Sequence, residues 1–169
     1  FLYSIILIII LIRAWPLWTL AFSIPDTGII ESLFNTDVSY GLARFPALSF
    51  AIILLFTYFL LSLLSIYFLY LIGEGRLSDW KAPILNNSDR NKLRPICSLI
   101  TLLASLLLWL SRHQFLWKSN GIIEGASWLD VHFDIPLRTF ISVNLFLFSL
   151  IIITKIPINV KRFIRKILI

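Results

Sequence analysis

The densest run of chemically capable side chains is Asp130-Val131-His132-Phe133-Asp134. In an extended segment alternate residues project to one face, so Asp130, His132 and Asp134 would converge there. Two carboxylates and an imidazole suit a divalent metal or a proton relay. The same residues also have a structural use. Asp134 is placed to cap a following helix, and Asp130 to hold a turn through backbone N–H groups. Arg112-His113 form the second candidate. An arginine at a helix end snorkels toward headgroups. His113 could ligate a metal, or the magnesium of a chlorophyll or related pigment in a photosynthetic membrane, or serve as an ordinary hydrogen-bonding residue. Neither run carries a zinc-protease pair, a phosphate-binding glycine loop or a serine elbow, so the expectation is a protein that is not an enzyme.

The elements that must position these residues are apolar. Of the 169 residues 59% are hydrophobic and 14% charged, against roughly 25% charged in a soluble domain. The apolar residues fall in continuous blocks, which excludes the alternation of a membrane barrel. Crossing a bilayer as a helix takes about 20 such residues. Four helices are expected, over residues 1–22, 46–72, 95–111 and 137–154, with a basic amphipathic helix at 155–169. The class is all-α, a helical multi-pass membrane domain over 1–154 with a distinct tail. Pro46, Pro95 and Pro136 are expected at helix starts, where the missing N–H is harmless.

The net charge of +6 flanks the apolar blocks rather than lining one polar face, which points to a lipid bilayer as partner and away from nucleic acid. Lys and Arg number two in the first connection (Arg13, Arg44), five in the second (Arg76 to Arg94), three in the third (Arg112, Lys118, Arg138) and five in the tail. The positive-inside rule then puts the second connection and the tail in the cytoplasm, and both ends of the segment with them. In the tail, Val160, Phe163, Ile164, Ile167 and Leu168 alternate with basic residues at helical spacing, as in a helix lying on an anionic surface or a linker to a further span. The chain has no methionine and opens on Phe1 within an apolar run, so an internal or processed piece of a longer polypeptide is expected. The single Cys97 can form no internal disulfide.

Within the spans, Ser98, Thr101 and Ser105 make one polar stripe suited to a neighbouring helix, and Asn144 is expected to bond across helices. No ionisable residue lies in the middle of the second, third or fourth block, which counts against transport by these helices alone.

Two connections carry a resemblance. Phe34-Asn35-Thr36-Asp37-Val38-Ser39-Tyr40 followed by Phe45-Pro46, and Gly121 through Gly125-Ala126-Ser127-Trp128-Leu129-Asp130-Val131-His132 to Pro136, resemble motifs of the UPF0182 family, with Trp128 and Leu129 where the family has Tyr and Thr. The resemblance implies a large bacterial multi-pass protein with more helices on both sides and no established activity. It places the segment in the bacterial inner membrane, or a thylakoid membrane if cyanobacterial. Three functional readings follow: a scaffold or accessory subunit packed against other membrane subunits, a transporter or channel component, and a metal-dependent enzyme using Asp130, His132 and Asp134.

Overall fold

The computed structural model describes residues 2–73, 87–117 and 125–154. The tail 155–169 and Gly121 lie outside these residues. The fold is helical, and three stretches are long and apolar enough to cross a membrane: Tyr40–Ile72, Asp89–Leu116 and Asp130–Thr154. A bent pair brings the number to four if it is counted as one span.

That pair is α1 (Leu2–Arg13) and α2 (Trp15–Ser23), bent by 47°. The single helix expected over 1–22 is therefore broken at Ala14. Pro16, at the start of α2, supplies no N–H for continuing the helix of the preceding turn. The pair runs antiparallel beside α3 (Phe45–Gly73), with the Tyr3 and Ser62 hydroxyls 3.3 Å apart. The bend leaves an apolar groove of about 470 Å³ against α3, lined by Leu7, Leu11, Trp18, Leu54 and Tyr58.

α3 is mostly Leu, Ile, Phe and Tyr, a composition that can bury no backbone polar group in lipid except by closing every hydrogen bond within the helix. Three of its hydroxyls follow the same rule, whereas the buried Ser49 Oγ has no partner among the described residues. Thr57, Ser62 and Ser65 donate to the carbonyls of Ile53, Tyr58 and Leu61 on their own helix. α3 packs on α4 (Asn87–Leu110) through Phe45, Ile52, Leu103 and Leu110, with Phe56, Phe59, Leu99 and Leu107 against them.

The most extensive helix pairing is α4 with α5 (Ile135–Thr154). Its centre is hydroxylic. Ser98 and Ser149 each donate to the other's carbonyl at 2.9 and 2.8 Å, and Ser105 and Ser142 do the same at 2.8 and 2.9 Å. All four serines are buried. Small side chains let the helices approach closely, and each cross-helix bond in lipid contributes about 0.6 kcal/mol. Ser98 and Ser105 thus occupy the predicted stripe, whereas Thr101 bonds back to Cys97 and Ser98. Asn144 departs from expectation: its amide donates to Phe140 on its own helix and the side chain is exposed.

Two of the three prolines stand near a helix start as expected, Pro46 second in α3 and Pro136 second in α5. Pro95 lies inside α4. Pro46 and Pro136 each stand at the second residue after a π-helical turn, Tyr40–Arg44 before Pro46 and Asp130–Asp134 before Pro136. In both, the residue before proline donates five residues back, Phe45 to Tyr40 and Ile135 to Asp130. A wider turn carries the preceding carbonyls out of the path of the pyrrolidine ring. Helical structure can therefore begin at Val38 and Trp128, well ahead of each proline.

Candidate functional site

The two π-turns lie at the same end of the bundle, where the loop between α2 and α3 meets the segment after α4. Asp37 begins the first. Its Oδ1 accepts from the Ser39 N–H at 2.8 Å and from the Thr27 N–H and hydroxyl at 3.1 and 2.8 Å. Its Oδ2 accepts from the Gly28 N–H at 2.8 Å. These donors, the Ser39 backbone foremost, hold the Asp37 carboxyl well below the usual carboxylate range. Gly28 has φ +72°, a conformation in which a side chain would be strained. The loop closes through an isolated antiparallel bridge, Ile30 with Asp37. Within it, Glu31 receives the N–H groups of Leu33 and Phe34 at 2.7 and 2.9 Å.

The second start is a reciprocal cap. The Ser127 N–H and hydroxyl both donate to Asp130 Oδ2, at 2.9 and 2.7 Å, while the Asp130 N–H donates back to Ser127 Oγ at 3.3 Å. That is a capping box, with Asp three residues after Ser. Gly125, at φ +99°, turns the chain into it.

Phe34 carries the first loop onto the end of α4 by stacking on His113, with ring centroids 4.5 Å apart. Tyr40 and Phe45 each approach the same imidazole at 5.7 Å, and His113 Nδ1 lies 3.3 Å from the Leu110 carbonyl. His113 is thereby buried, at 8% exposure. Between the two starts lies a cavity of about 360 Å³, walled by Glu31, Asp37, Tyr40, His113, Gly125 and Val131 among others.

The expected triad does not assemble. Asp130–Asp134 is helical, not extended, because the Ser127–Asp130 box starts the helix before it. A spacing of two residues on a helix turns side chains to different sides. Asp130 is buried in its cap, while His132 is exposed and stacked on Trp128, with centroids 4.5 Å apart and planes at 19°. His132 Nδ1 lies 3.0 Å from the Trp128 carbonyl. Among the described residues no three His, Cys, Asp or Glu side chains group as metal ligands would. Capping falls to Ser127 and Asp130 rather than Asp134. Asp37, Glu31 and Ser127 were not singled out as site residues from sequence. The signal for Ser127 was the spacing Ser-x-x-Asp ahead of an apolar run.

Long apolar helices joined at one end by hydrogen-bonded caps define a helical polytopic membrane protein. Residues 1–169 match the family described as "Uncharacterised protein family (UPF0182)", and the chain belongs to that family. A UPF0182 protein of Prochlorococcus marinus (strain MIT 9313) is 42% identical over 153 residues, covering 90% of this chain and 16% of that protein. One from Synechococcus sp. (strain CC9311) is 40% identical over 159 residues, covering 94% and 17%. A more distant relative from Synechocystis sp. (strain ATCC 27184 / PCC 6803 / Kazusa) is 23% identical over 114 residues, covering 68% and 11%. The chain spans about a sixth of the length of the first two relatives. No solved structure matches.

Proposed function

We propose that this segment is a membrane scaffold or accessory part whose helices pack laterally against further membrane protein. The observation that carries the reading is the apolar surface left open. Only 11, 22 and 11% of the three spanning windows is buried within the chain. Ile12, Leu69 and Phe140 are each about two-thirds exposed. Lipid can cover such faces, but exposed Asn144 on α5 favours a protein neighbour with a hydrogen-bonding group. On this reading the capped end faces outward and the more basic connections face the cytoplasm, following the charge count.

Gentle detergent extraction of the protein at native expression levels should yield a stable assembly of several polypeptides. Recovery of free monomer alone would overturn the scaffold reading. A second reading, a transporter or channel component, draws support from the cavity beside His113. It requires solute flux in reconstituted vesicles that falls with His113→Ala; flux indifferent to that change removes the cavity from the mechanism.

A further inference from the structure

Two arginines are braced crosswise where α4 and α5 meet near the capped end. Arg112, just past α4, donates from Nη1 to the Thr139 hydroxyl on α5 at 3.1 Å and from Nε to the Trp109 carbonyl at 2.9 Å. Arg138, on α5, donates from Nη1 to the Ser111 hydroxyl and carbonyl at 2.8 and 3.3 Å. Each side chain thus reaches across to the opposite segment of the pair. Aromatic faces complete the support: the Arg112 guanidinium lies 3.5 Å from the Trp109 ring centroid and that of Arg138 4.5 Å from Phe115.

Both residues are partly buried and lie within spans, Arg112 in Asp89–Leu116 and Arg138 in Asp130–Thr154. Among the described residues neither forms an ion pair; the pair recorded there joins Arg44 to Asp26. Neither Nη2 has an acceptor among the described residues. A guanidinium carries five N–H donors in a fixed fork, so each keeps donors to offer. Two such cations near the end of a span, held in place and without an anionic partner among the described residues, leave a strong local demand for one. Along the helix from Arg112, Trp109 and Leu106 are exposed at a three-residue spacing, an open apolar stripe on the same face.

We propose that Arg112 and Arg138 form a binding site for the phosphate of an anionic phospholipid, whose acyl chain lies along Trp109 and Leu106. The planar forks match phosphate oxygens bidentately. Two cations paired with no carboxylate among the described residues prefer a headgroup of net negative charge over a zwitterionic one, which brings its own cation to the site. The attached chain on an apolar stripe distinguishes a lipid from a free phosphate ion.

The test is native mass spectrometry of the purified protein released from bilayers of phosphatidylglycerol and phosphatidylcholine in equal amounts. The wild type should retain phosphatidylglycerol over phosphatidylcholine by about tenfold, the worth of a charge-assisted hydrogen bond. Arg112→Gln with Arg138→Gln should abolish the preference, and Arg13→Gln should keep it. Arg112→Lys with Arg138→Lys keeps the charge and loses the fork, so an intermediate preference is expected. Equal retention of the two lipids by the wild type overturns the proposal without need of any variant. It is also overturned if millimolar inorganic phosphate, in phosphatidylcholine alone, raises thermal stability through these arginines while phosphatidylglycerol does not.

Discussion

The two capped helix starts solve one problem with the carboxylate in different places. Each leads into a π-turn and then a proline, and each must satisfy N–H groups that no earlier turn can reach. At the first, Asp37 stands before the helix and gathers donors from Thr27, Gly28 and Ser39, so it ties down a loop as well as a helix. It stays half exposed. At the second, Asp130 stands inside the first turn, bonds to its cap partner Ser127 and is 1% exposed. The difference teaches that placement, more than residue type, sets what such an acid does. Outside the helix it organises a loop and remains open to water; inside, it becomes part of the packed interior.

The comparison can be broken first at Asp130. Asp130→Ala leaves the half-buried Ser127 N–H and hydroxyl without their acceptor, and should destabilise the protein by about 2 kcal/mol, read as a lower unfolding midpoint in detergent. A loss indistinguishable from zero would mean that burial of Asp130 contributes nothing. Ser127→Ala removes the hydroxyl half of the same box and should lower stability by about 1 kcal/mol. The smallest effect concerns pH. The folded Asp37 carboxyl lies below its unfolded value of about 3.9, so its contribution is complete above that value and fades as pH falls toward the folded one. Melting curves through this acid range should therefore show a decline in the wild type that is shallower in Asp37→Asn. Identical slopes would show that the Asp37 contacts do not persist in solution.

Much of the architecture was legible because lipid enforces simple rules. Charge-free runs had to be helices, and the serines at positions 98 and 105 had to find another helix. The missed features are those in which a local group satisfies itself. Asn144 was expected to reach a neighbour, but the Phe140 carbonyl one turn back is always within reach. Pro46 and Pro136 were legible near helix starts because a missing N–H is harmless there, but composition does not disclose the π-turn that precedes each α-helix. Asp130, His132 and Asp134 read as one face only if the chain was extended. The box formed by Ser127 and Asp130 decided otherwise, and the same four-residue spacing could have revealed it. His113 was legible as a candidate, but its aromatic surroundings come from Phe34, far away in sequence.

The paired serines of α4 and α5 have a mechanical consequence. Partners recur seven residues apart on both helices, with 98 facing 149 and 105 facing 142. Sliding one helix along the other by a single turn, about 5.4 Å, breaks both pairs together. Only a slip of seven residues, about 10.5 Å, brings one pair back into register. Piston motion between these helices is thus opposed at every intermediate stroke, by four hydrogen bonds that break together rather than one at a time.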